Sequence, residues 1–119
     1  MQVSTVFVAL SDPIGNLAEF YQAFFGMEPT LQVPQVYTEF ELPGLRLGIF
    51  NPKPDHIAEF AGKAASMSLC IEVECLEAAI DRLRQIGYAQ PIAIMTASHG
   101  RETYAYDPAG NRLILHESR

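Results

Sequence analysis

The sequence predicts an α+β fold in which two βαβββ modules supply an eight-stranded, cupped mixed sheet with helices on its outer face. Three observations predict it. Ser4 to Gly26 reads as an alternating apolar strand, a short break and an amphipathic helix ended by glycine, and Ser68 to Gly87 repeats that order with similar spacing. The apolar period switches from two to 3.6 inside each copy, as it must where a half-buried strand gives way to a helix. Each helix is then followed by alternating runs cut by Pro and Gly, the composition of short antiparallel strands.

In the first copy, Thr5 to Leu10 alternates: Val6, Val8 and Leu10 share the face turned to the helix, and Thr5, Phe7 and Ala9 share the other. Asp12-Pro13 reads as a helix start, with a capping carboxylate followed by the pre-set backbone angle of a first turn. Leu17, Phe20, Tyr21 and Phe24 recur at helical spacing as a core stripe, and Gly26 stops the helix. Val36 to Leu42 and Leu45 to Phe50 alternate on either side of Pro43-Gly44, a hairpin. Asn51 to Ser66 has no strand pattern and reads as a linker, with a helical turn expected around His56 to Phe60.

In the second copy, Leu69, Ile71 and Val73 face the helix, while Ser68, Cys70 and Glu72 face away. Leu76, Ala79, Ile80, Leu83 and Ile86 form the helix stripe, ended by Gly87. Gln90 to Ala97, Arg101 to Tyr106 and Asn111 to Glu117 complete the copy, the last two joined by the turn Asp107-Pro108-Ala109-Gly110-Asn111. The whole chain, 1–119, is read as one domain: module one about 1–52, a linker about 53–66 and module two about 67–119.

Composition narrows the function. A chain of 119 residues buries roughly two thirds of its unfolded surface and needs no metal or disulfide staple. The formal charge is −6 and the eight basic residues are scattered, which excludes the concentrated positive footprint of a nucleic-acid or anionic-membrane partner. No run approaches the ~20 apolar residues of a membrane span, and the opening segment has neither a basic start nor a small-residue cleavage site, so a soluble, cytoplasmic protein is expected. Cys70 and Cys75 make neither a CxxC pair nor half of a zinc ribbon. Parity puts them on opposite faces if the strand runs on to Cys75, so two reduced thiols are expected. There is no GxGxxG and no GxSxG, and neither cysteine has a histidine at recognisable spacing.

The paired modules, Phe20-Tyr21 followed by Phe25-Gly26, and Gly100-Arg101-Glu102 leading to Tyr106-Asp107-Pro108-Ala109-Gly110-Asn111 resemble the glyoxalase/bleomycin-resistance/extradiol-dioxygenase superfamily, also called vicinal oxygen chelate, over essentially the whole chain. The resemblance implies a homodimer. It also implies a divalent ion in the cup, held by one side chain from the first and one from the last strand of each module. Those positions fall on Thr5, Gly48, Ser68 and Ile114. Hydroxyls are poor donors alone and Gly and Ile offer none, so the usual centre is not expected to form, and neither a metal nor another cofactor is predicted. His116 lies two residues beyond Ile114 on the same face and with a carboxylate would start a displaced site. A single histidine there is more often simply hydrogen-bonded. His56 and His99 are expected to face solvent.

Without a metal the cup is a small-molecule pocket. Its expected lining is Thr5, Phe7, Tyr37, Arg46, Phe50, Ser68, Glu72, Tyr104, Tyr106, Arg112, Ile114 and His116, aromatic area with a few orienting polar groups, and parity adds Glu39, Glu41 and Glu102 to that face. The leading expectation is a protein that binds or sequesters a small, partly aromatic molecule. The alternative is a lyase, isomerase or dioxygenase of the same superfamily, with a displaced metal or with Glu72, Glu102 or His116 as general base. A third reading is a non-catalytic interaction domain whose own side chains fill the cup.

Overall fold

The computed structural model describes residues 1–3, 5–61, 67–88 and 93–118. Ser4, the linker residues 62–66, residue 89, residues 90–92 of the expected Gln90–Ala97 strand and Arg119 lie outside them. The chain divides into two compact units, Met1–Ala61 and Gly62–Arg119.

The first unit runs β1 (Val8–Ser11), α1 (Leu17–Phe25), β2 (Leu31–Val33), β3 (Tyr37–Leu42), β4 (Leu45–Phe50) and a 3₁₀ helix (Pro54–Phe60). Its sheet has the order β1-β4-β3-β2. β1 pairs in parallel with β4, and the other neighbours are antiparallel. Pro43-Gly44 makes the β3–β4 turn, and Pro54 opens the 3₁₀ helix, which covers the expected turn at His56 to Phe60. The α1 stripe is buried as the period requires, at Leu17, Phe20, Tyr21 and Phe24, together with Phe40, Leu47 and Ile49 of the sheet. An edge-on contact of Phe25 with Phe40, centroids 6.1 Å apart, ties helix to sheet. Gly26 ends α1 in the left-handed conformation, φ 65°, that glycine adopts without steric cost.

Two boundaries differ from the sequence reading. The first strand begins at Val8, so Thr5, Val6 and Phe7 precede it and are exposed. Alternation fixes which face a residue takes, but not where an edge strand with one neighbour starts to pair. The first helix begins at Leu17 and not at Pro13, because Gly15 turns the chain at φ 89°. Asp12 still caps it, from further away: its buried carboxylate accepts hydrogen bonds from the backbone N–H groups of Gly15 (2.9 Å), Asn16 (3.3 Å) and Leu17 (2.9 Å).

The second unit runs β5 (Ser68–Glu72), α2 (Leu76–Gln85), β6 (Met95–Ala97), β7 (Gly100–Tyr106) and β8 (Arg112–Ser118), with sheet order β5-β8-β7-β6. β5 pairs in parallel with β8, repeating the β1–β4 arrangement. Leu76, Ile80 and Leu83 of α2 are buried with Thr103, Ala105, Leu113 and Leu115. Asp107 builds the β7–β8 turn by accepting from the N–H groups of Ala109 and Asn111, both at 2.9 Å, and from the Asn111 amide at 2.7 Å. β5 stops at Glu72, so the condition for placing Cys70 and Cys75 on opposite strand faces is not met; both are exposed free thiols. Among the described residues no helix is long and apolar enough to cross a membrane.

Candidate functional site

Strand register sorts the second sheet into two faces. Leu69 stands opposite Leu113, Ile71 and Thr103 opposite Leu115, and Ala105 opposite Leu113, a face that is buried or half-buried throughout. On the other face Ser68 and Tyr106 stand opposite Arg112, Cys70 and Tyr104 opposite Ile114, and Glu72 and Glu102 opposite His116. Eight predicted site residues, Glu102 among them, thus share one surface, because every second residue of a strand points the same way.

The polar end of this surface is ordered. The Glu72 carboxylate lies 2.7 Å from His116 Nδ1 and accepts the Ser118 N–H, also at 2.7 Å. Hydrogen bonding from His116 and then Ser118 holds the Glu72 carboxyl below its ordinary range. His116 is 13% exposed, and its Nε2 is buried with no hydrogen-bond partner among the described residues. The His99 ring stacks on it with centroids 5.1 Å apart and planes at 12°. His99, read from the sequence as a solvent-facing turn residue, is exposed but belongs to this group: one ligand atom from each of His99, Glu102 and His116 lies within 4.8 Å of the other two. A histidine beside Gly100 at the mouth of a hairpin was the available signal for it.

At the other end Arg112 Nη1 donates to Ser68 Oγ at 3.1 Å. Although Cys70 is exposed, partial desolvation of its thiol pushes it up, and the charges of Glu102 and Glu72 push it further.

The first sheet carries the remaining predicted residues. Register puts Tyr37 opposite Phe50, and Glu41 opposite Arg46, on the face shared by Glu39 and Gly48. The Tyr37 hydroxyl donates to Glu39 Oε1 at 2.7 Å, and burial followed by that hydrogen bond raises the phenol to about 12. Arg46 lies 3.8 Å from Glu39 and places its guanidinium over the Phe7 ring, 5.2 Å from the centroid. Thr5 is exposed ahead of β1.

The family's four ligand positions do not fit a metal. A β-carbon at Gly48 would fall 2.5 Å from the Tyr37 hydroxyl oxygen, Thr5 and Ser68 offer neutral hydroxyls, and Ile114 offers nothing.

A family model described as glyoxalase/bleomycin resistance protein/dioxygenase superfamily matches residues 7–115. No curated protein matches significantly. Among solved structures, the genomically encoded fosfomycin resistance protein FosX from Listeria monocytogenes has a TM-score of 0.76 at 16% identity, covering 100% of this chain and 96% of that one. A variant of that protein was solved with Mn(II) and 1S,2S-dihydroxypropylphosphonic acid. A glyoxalase/bleomycin resistance protein from Catenulispora acidiphila has a TM-score of 0.69 at 23% identity, covering 96% and 97% of the two chains. Lactoylglutathione lyase from Agrobacterium tumefaciens has a TM-score of 0.67 at 23% identity, covering 98% and 95%. At these identities the likeness is one of fold.

Proposed function

The chain belongs to the glyoxalase/bleomycin resistance protein/dioxygenase superfamily, and on that footing we propose that it binds a small, partly aromatic molecule on the polar face of its second sheet, without an ion at the family's usual positions. One observation carries this reading: the β5–β8–β7 register gathers Ser68, Glu72, Glu102, Tyr104, Tyr106, Arg112 and His116 on a single surface. Tyr104 and Tyr106 supply stacking area, and Arg112 with the two carboxylates supplies orientation and charge selection. In this reading the protein acts as a homodimer, which sedimentation equilibrium checks.

A thermal-shift screen of small aromatic compounds tests the function. A compound at 100 times its Kd adds about 2.7 kcal/mol to stability, and Tyr104→Ala or Arg112→Ala is expected to remove the shift. Shifts that survive both substitutions place the ligand elsewhere and defeat the reading.

The Glu72–His116 pair favours a second reading, an enzyme of the same superfamily. A carboxylate 2.7 Å from Nδ1 orients the imidazole and leaves Nε2 as a base. Turnover of a bound compound that His116→Gln abolishes, with binding retained, would favour the enzyme; binding without turnover favours sequestration.

A further inference from the structure

We propose that His99, Glu102 and His116 form a binding site for a divalent transition-metal ion, displaced from the positions at which the superfamily's ligands fall. The inference goes beyond the small-molecule reading and does not depend on it.

The strongest ground is the His116 imidazole. Its Nδ1 faces a carboxylate, which can only accept, so Nδ1 carries the proton and in the neutral ring the lone pair sits on Nε2. That atom is buried and has no partner among the described residues. Protonating it does not help, because the new N–H would be a buried donor with no acceptor in hydrogen-bond range among the described residues. A bound cation is the kind of group that satisfies such a lone pair. A carboxylate on one imidazole nitrogen and an open lone pair on the other is the arrangement by which second partners orient histidine ligands and raise their basicity.

The neighbouring donors are of the right kind and near the right distance. Two ligands bound at about 2.0–2.1 Å in tetrahedral geometry stand about 3.4 Å apart. The three ligand atoms here lie within 4.8 Å of one another, so side-chain rotation of about an ångström closes the site. Glu102 and His116 are direct cross-strand partners, as are Glu72 and His116. His99 is exposed in the two-residue turn between β6 and β7, its ring stacked on that of His116.

Gly100 lets the β6–β7 turn pack close to His116. A β-carbon there would overlap the Glu117 carbonyl and lie 3.1 Å from His116 Nε2, so the residue after His99 has to be glycine for the turn to approach this closely. Two imidazoles and one carboxylate suit Zn²⁺, Ni²⁺, Co²⁺ or Mn²⁺, and not Ca²⁺ or Mg²⁺, which take oxygen ligands. Three protein donors leave at least one coordination position for solvent or another ligand.

The test uses the full chain, free of any affinity tag and stripped with a chelator. Titration with Co²⁺ followed by visible absorbance, and with Zn²⁺ by calorimetry, is expected to give one ion per chain. His99→Ala, Glu102→Gln and His116→Ala should each weaken binding at least tenfold. Glu72→Gln, at a positioning residue, should weaken it about 10–100-fold with the stoichiometry unchanged. His99 is exposed, so His99→Ala keeps the fold, checked by circular dichroism, and decides the matter if the buried variants do not fold. Absence of binding overturns the proposal. So does binding that survives His99→Ala, or binding that Ser68→Ala abolishes, since the ion would then sit at the family's positions. The readout is the metal alone, so failure here leaves the small-molecule reading standing, and the aromatic-compound screen fails or succeeds without reference to it.

Discussion

At position 48 a side chain would have to share its space with the Tyr37 phenol. The β-carbon of an alanine would fall 2.5 Å from the hydroxyl oxygen and 2.9 Å from the ring, at a buried position, so the Tyr37 phenol would have to leave its place and its bond to Glu39. Gly48→Ala is therefore expected to destabilise the protein by about 1–3 kcal/mol, the cost of overfilling a packed site. Urea unfolding measures it, and combining the change with Tyr37→Ser should recover much of the loss, because the two side chains compete directly. The same crowding explains why restoring a carboxylate at position 48 alone would not restore a metal ligand. On the second sheet the residue-level question is different: His116 Nε2 is buried with no hydrogen-bond partner among the described residues.

Among the elements, α1 shows how a cap can act from outside the helix it serves. Asp12 lies five residues before Leu17, yet both carboxylate oxygens receive N–H groups from the helix entrance, because Gly15 folds the segment back on itself. Asp12→Ala would leave those donors unpaired, one of them buried, and is expected to cost about 2 kcal/mol, near the top of the range for capping residues. Thermal unfolding of the variant tests this, and an unchanged Tm would mean that solvent replaces the carboxylate. The identity of Asp12 as the cap was legible in the sequence; the helix start was not, since Pro13 marks a first turn only if the residues after it are helical. Strand faces were legible throughout β3, β4, β5, β7 and β8, because parity is a local property. The start of β1 depended on a neighbour 39 residues away, with Val8 opposite Leu47.

Across the whole molecule the two units share a plan and differ in what holds helix to sheet. α1 is joined by aromatic contacts, α2 by aliphatic packing and by charge: Arg101 on β7 bonds both oxygens of Glu77 on α2, at 2.7 and 2.8 Å, and Glu117 on β8. Hydrogen bonding from Arg101 lowers Glu77 from the ordinary 4.5 to about 2. A carboxyl whose folded value is depressed contributes stability above the unfolded value and loses it as pH falls through the folded one. The stability difference between wild type and Arg101→Leu should therefore be full at pH 7 and shrink between about pH 4.5 and pH 2. Urea melts at pH 7, 4 and 2 follow it, and a constant gap would show that Arg101 acts through packing alone.

By itself the sequence determined the α+β class, the repeated module, both helix stripes and the faces of β3, β4, β5, β7 and β8, because periodicity and the order of Pro and Gly are written along the chain. It also determined that imidazole and carboxylate are missing from the four positions where the family's ion is held. Only the tertiary structure decided that His99 stacks on His116, that Glu72 bonds its Nδ1 and that Nε2 is buried with no partner among the described residues. The physical reason is that these contacts join β5, the β6–β7 turn and β8 through pairing register and a close approach at Gly100, quantities that spacing along one strand does not contain.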